Sequence, residues 1–120
     1  MAKHDSKRKK MSKQASYDKE NDVLFMHQGF ASDEKFKGNI DVGNLVLDVS
    51  TKGRIRGVEI MNASAFLEEL RIGKKALEDM ESADFTAQIS HNSITITLFL
   101  KSGAQEIPAR IAVPLATARI

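Results

Sequence analysis

Leu45-Val46-Leu47-Asp48-Val49-Ser50-Thr51-Lys52-Gly53-Arg54-Ile55-Arg56-Gly57-Val58-Glu59-Ile60-Met61-Asn62-Ala63-Ser64-Ala65-Phe66-Leu67 is the stretch that decides the fold. Leu45, Leu47 and Val49 alternate with Val46 and Asp48, the period-two pattern of a strand. Ser50-Thr51-Lys52-Gly53 is a hairpin turn, with glycine where a positive φ is most often needed. The return strand covers residues 54–61 and places Val58 and Ile60 on one face. At Asn62 the period changes. Ala63, Phe66, Leu67 and Leu70 fall at i, i+3, i+4 and i+7, one helical stripe behind Asn62 as N-cap, with Ser64 the next candidate.

Toward the N-terminus, residues 39–49 form one extended segment, with a break at Gly43-Asn44 where a bulge or bend is expected. Residues 29–38 are a polar loop with Phe30 and Phe36 as anchors. Residues 22–28 read as a strand with Val23 and Phe25 on one face and Leu24 and Met26 on the other. Residues 1–16 show no periodicity and almost no apolar side chains. A segment of that composition cannot offset its ordering entropy, so a disordered basic tail is expected there.

Toward the C-terminus, Gly73 is expected to end the helix and to cap a second one over residues 74–80. Ile72 and Leu77 then stand at hydrophobic-staple positions, and Met80 and Ala83 complete its apolar side. Beyond it lies a second meander. Phe85, Ala87 and Ile89 alternate, His91-Asn92 turns the chain, and Ile94, Ile96, Leu98 and Leu100 alternate again. After Ser102-Gly103, Ile107, Ala109, Ile111 and Val113 share a face. Pro108 lacks the N–H of a ladder bond, which places this last strand at a sheet edge. The expected architecture is α+β, in the order β-β-β-α-α-β-β-β, with two short helices between antiparallel meanders. Residues 17–120 make one domain, with its C-terminal meander over residues 84–113.

Composition narrows the function. At 120 residues, 42% apolar and 28% charged, the chain can bury a core. Cysteine is absent, which excludes disulfides, thiolate nucleophiles and cysteine-based metal sites. No apolar run approaches the roughly 20 residues that cross a bilayer, and no secretory signal follows the basic start. A cytoplasmic, non-membrane protein is expected. The formal charge of +2 conceals an asymmetry: residues 1–16 carry net +5 and residues 17–120 net −3. Lys7, Arg8, Lys9, Lys10 and Lys13 of the tail are candidate nucleic-acid contacts, weak and without sequence preference. Met11 offers a second start, from which the net charge would be −2.

Chemistry-bearing residues are few. Asp22, Asp48 and Glu59 are a carboxylate set with the donor type for a metal or for acid–base work, but as a turn residue and two solvent-facing strand residues they have a simpler account. His4, His27 and His91 lack partners at i+3 or i+4, so no zinc site is expected. Ser64 follows alanine and suits a cap better than a nucleophile. Gly53-x-x-x-Gly57 has no following lysine and helix, so it is not a phosphate loop. No catalytic, cofactor or metal residue is assigned, and no cofactor is expected.

Tyr17-Asp18, Asp22, Leu24-Phe25, then Val42, Leu45-Val46-Leu47-Asp48, then Gly53, Ile55, Gly57-Val58-Glu59-Ile60 and Ala63-Ser64 together resemble a small uncharacterised prokaryotic family, the domain of unknown function numbered 2283, over about residues 17–66. The chain departs from the pattern at Met61-Asn62. The resemblance implies a short protein without established activity, some of whose relatives look like antitoxins. The expectation is a non-catalytic protein-interaction module, an antitoxin-like partner of a small toxin. A nucleic-acid-associated protein tethered through its tail is the alternative. Apolar residues on both faces of the strands at 23–26 and 45–47 further suggest a homodimer.

Overall fold

The computed structural model describes residues 14–103 and 105–114. Five strands come first: β1 (Gln14–Asp18), β2 (Val23–His27), β3 (Phe36–Val42), β4 (Leu45–Ser50) and β5 (Ile55–Met61). Two short helices follow, α1 (Ala63–Glu68) and α2 (Lys74–Glu78), and then β6 (Met80–Ile89), β7 (Ser93–Ser102) and β8 (Gln105–Pro114). All pairings are antiparallel. The first sheet has the order β1-β2-β5-β4-β3 and the second β6-β7-β8.

The α+β class and the two antiparallel sheets with short helices between them are as the periodicity dictates, but five strands precede the helices where three were expected, and β2 pairs with β5 rather than with the next strand in sequence. One addition comes from Gly43-Asn44. It is a two-residue hairpin turn, with Val42 paired to Leu45 and Gly43 at φ +59, rather than a bend in one strand. The other comes from the tail. Gln14, Ala15 and Ser16 pair with His27, Met26 and Phe25, so they begin β1 instead of belonging to a disordered segment. Residues 1–13 lie outside the described residues.

Period two decides which side chains meet. Leu24, Met26, Ile40, Leu45, Leu47, Val58 and Ile60 from the first sheet join Phe85, Ile94, Ile96, Leu98, Leu100, Ala109, Ile111 and Val113 from the second in one buried cluster. Ala63 and Leu67 of α1, with Ile72 and Leu77 of the expected staple, close it. β8 is an edge strand, as Pro108 requires. Two details at the helices differ. The left-handed residue that ends α1 is Arg71 (φ +66), with Ile72 N–H bonded to Leu67 O and Arg71 N–H to Glu68 O, while Gly73 is extended and caps α2. Met80 and Ala83, expected on the second helix, are strand residues of β6, because α2 ends at Glu78. Phe36 is 52% exposed and anchors nothing. No helix among the described residues is long and apolar enough to cross a membrane.

Candidate functional site

Because one face of the five-stranded sheet is sealed into the core, its other face presents Val23, Phe25 and His27 of β2, Gly57, Glu59 and Met61 of β5, and Val46 and Asp48 of β4. Two rows run across it. The register places Phe25, Glu59, Val46 and Asp41 in one row and His27, Gly57, Asp48 and Asn39 in the next. Val23 pairs with Met61 at the end. Val23, Phe25 and Val46 are half-buried, and Met61 is 38% exposed.

The second row is the most ordered part of this face. His27 Nδ1 accepts the Gly29 N–H at 2.8 Å, which leaves the ring proton on Nε2, and Nε2 faces Asp48 Oδ2 at 3.7 Å. Asn39 Nδ2 donates to Asp48 Oδ1 at 2.5 Å. Phe25 stacks on the imidazole at 6.1 Å between ring centres, and Phe30 meets it edge-on at 5.1 Å. Both imidazole nitrogens are therefore directed at the protein itself. Gly57 is the floor of the row: a Cβ there would lie 2.6 Å from Asp48 Oδ2 and 2.7 Å from His27 Cδ2.

Asp22 stands apart from Asp48 and Glu59, so the structure does not assemble the three carboxylates. It has a different task. Its main-chain O accepts the Ala63 N–H at 2.9 Å, its Oδ1 accepts the Ser64 N–H at 3.0 Å, and its Oδ2 accepts the Ser64 hydroxyl at 2.7 Å. Tyr17 donates its hydroxyl to Oδ1 at 2.6 Å. Asp22 thus caps α1 from the β1–β2 turn, whereas Asn62, the expected cap, is left-handed at φ 52 and makes no side-chain cap bond. Burial pushes the Tyr17 phenol up to about 12, with the hydrogen bond to Asp22 and that carboxylate's charge adding to it. Tyr17 is the chain's single tyrosine, so its ionisation can be followed alone. We expect no phenolate absorbance near pH 10 in the folded protein. Asp22→Ala will lower the titration midpoint and cost ~1–2 kcal/mol of stability in urea unfolding. A midpoint near 10 in the parent would contradict this.

A second buried polar cluster escaped the sequence reading. Glu34 Oε1 accepts from the Ala31 N–H at 2.9 Å and from Arg56 Nε at 2.7 Å, and Oε2 accepts the Ser50 hydroxyl at 2.7 Å. All three residues are buried. The signal was present: Arg56 has the same strand parity as Val58 and Ile60, so it points inward and requires a partner. Of the tail candidates, Lys7, Arg8, Lys9, Lys10 and Lys13 all lie outside the described residues.

The fold and the ordered sheet face define a small antiparallel α+β module. Residues 14–64 match the model of the family described as protein of unknown function (DUF2283), which is the resemblance drawn from the motifs between Tyr17 and Ser64. Those motif residues divide four ways: the core positions, the Tyr17–Asp22–Ser64 cap, the face carrying Phe25, Val46, Asp48, Gly57 and Glu59, and the exposed Asp18 and Gly53 at the β1–β2 and β4–β5 turns. The chain is also 27% identical over 82 residues to a putative hypoxanthine phosphoribosyltransferase of Methanosarcina mazei. That alignment covers 68% of this chain and 62% of the relative, so the chain spans less than two thirds of the length of the curated relative it matches. No solved structure matches.

Proposed function

We propose that this protein is a non-catalytic module that works by protein–protein contact through the outer face of its five-stranded sheet. One observation carries the reading: Val23, Phe25, Val46 and Met61 form an apolar group on the side of the sheet turned away from the core. Such a group on a well-ordered face serves contact more often than bare surface does. The engagement of His27 with Gly29 and Asp48, and of Ser64 with Asp22, supports a structural role for the residue types that would otherwise suggest catalysis. A cytoplasmic setting fits a chain without cysteine.

A homodimer is the simplest contact of this kind, since a two-fold axis buries the same patch on both copies. The face also carries Asp41, Asp48 and Glu59, so two copies repel through it at low salt. Sedimentation equilibrium at micromolar concentration should give twice the chain mass, with tighter association as salt is raised. Phe25→Ser should weaken it roughly tenfold or more, as one buried phenylalanine contributes ~2 kcal/mol. A single monomer mass at every concentration and salt would refute the dimer. A role as the antitoxin-like partner of a small toxin is the finer form of this reading, and the family resemblance alone supports it.

The net +5 of residues 1–16 favours a second reading, in which the chain associates with nucleic acid through Lys7, Arg8, Lys9, Lys10 and Lys13. Neutralising about five phosphates gives a log–log salt slope of about −4 to −5 on duplex DNA. Binding that persists after deletion of residues 7–10, or that prefers one sequence, would defeat it.

A further inference from the structure

β3 is an end strand of the five-stranded sheet. Parity fixes what its outer edge carries. The Met61 N–H donates to Asn44 O at 2.8 Å, so Asn44, Val46 and Asp48 direct their main-chain groups at β5. Alternation turns Leu45, Leu47 and Val49 to β3, where they meet Val42, Ile40 and Gly38. The N–H and C=O groups of Asn39 and Asp41 therefore point away from β4, along the open edge.

The other sheet ends are less available. β1 and β6 pack against each other. β8 is blunted. The Ser90 N–H donates to Ser93 O, and alternation from that pair turns Leu98 and Ala109 toward each other, so Pro108 faces outward with no N–H to offer. β3 contains no proline, and among the described residues only β4 pairs with it.

The sequence of β3, Phe36-Lys37-Gly38-Asn39-Ile40-Asp41-Val42, is complementary to itself when reversed about Asn39. An antiparallel second copy in that register sets Asp41 opposite Lys37 twice and the exposed Phe36 opposite Val42. Lys37 and Asp41 are both exposed, and neither makes an ion pair among the described residues. A register centred on Asp41 would instead set two like charges face to face, which disfavours it. The bulge between Phe36 and Gly38 falls at the end of the paired stretch and leaves residues 38–42 regular.

We propose that the β3 edge takes a second copy of this chain, β3 pairing antiparallel with β3 about a two-fold axis through Asn39 and joining two five-stranded sheets into one. The axis is perpendicular to the sheet, so the face carrying Val23, Phe25 and Val46 stays open on both copies. Edge and face are separate surfaces, and neither depends on the other.

The chain has no cysteine, so single introduced cysteines report this contact by oxidative cross-linking of the full chain at micromolar concentration. Residues paired across such an edge have Cα atoms about 5.5 Å apart, within the span of a disulfide. Asn39→Cys should give a cross-linked dimer roughly tenfold faster than Thr86→Cys, an exposed position on β6. Lys37→Cys mixed with Asp41→Cys should link as a mixed pair faster than either does alone. Lys37→Glu added to Asn39→Cys should slow its cross-linking severalfold, because it sets like charges opposite each other. Positions 37, 39, 41 and 86 are exposed, and circular dichroism checks that each variant is folded. Val46→Cys reads the sheet face separately, so failure at one surface is not failure at the other. Asn39→Cys linking no faster than Thr86→Cys, a mixture linking no faster than its components, or indifference to Lys37→Glu would overturn the edge pairing.

Discussion

Gly57→Ala will lower the melting temperature by about 10 °C, a loss of ~2–3 kcal/mol for a domain of this size. Gly57 lies in β5, the central strand of the first sheet, between His27 on β2 and Asp48 on β4. A methyl group would enter at 2.6 Å from Asp48 Oδ2 and 2.7 Å from His27 Cδ2, inside contact distance of both. Neither neighbour can retreat at low cost. Asp48 is held by Asn39, and His27 by the Gly29 N–H and the rings of Phe25 and Phe30. Moving either breaks a hydrogen bond on a half-buried face. Asp48→Ala placed in the Gly57→Ala background removes one of the two obstacles and leaves His27, so it should cost less there than in the parent, a non-additivity that identifies the clash as the cause. A Gly57→Ala protein that melts within about 2 °C of the parent would show that the row yields freely.

The elements that were legible are those whose pattern is local. The alternation of Ile94, Ile96, Leu98 and Leu100 places all four in the core, and Pro108 places β8 at the edge, because neither statement depends on a distant partner. What could not be read is set by pairing across the chain. Ala15 becomes part of a strand only because Met26 stands opposite it, and two apolar positions, Ala15 and Tyr17, are too few to show a period. Gly43-Asn44 was obscured because Val42 and Leu45 on either side are both apolar and continue the pattern through the turn. The α1 cap comes from Asp22, far away in sequence, which no local capping rule can find. The sheet face was half legible. Apolar residues on both faces of β2 and β4 implied a second covered surface, but the His27–Gly57–Asp48 row exists only once three strands are in register. Gly57 was the available clue, since glycine inside a strand marks a close approach.

The largest single-site effect will come from Arg56→Met, at ~3–5 kcal/mol, because it leaves the buried Glu34 carboxylate without its counter-charge. The pair itself adds far less to stability than that loss suggests. Two well-packed apolar side chains avoid the desolvation that both ions suffer, so the double replacement Glu34→Met with Arg56→Met should lie within ~1–2 kcal/mol of the parent in urea unfolding. The acid limb separates them further. Burial alone would raise the Glu34 carboxyl, but the Ala31 N–H, the Ser50 hydroxyl and Arg56 outweigh it and hold it at about 2, against an ordinary 4.5. A depressed folded value means that the unfolded chain takes up this proton first. Its contribution is therefore complete above pH 4.5 and is lost as pH falls through about 2. That contribution is about 3 kcal/mol in scale. The double variant has no carboxyl at this position, so its stability will fall less steeply between pH 4.5 and 2 than the parent's. Parallel acid profiles for the two proteins would mean that Glu34 is not the group the buried cluster holds ionised.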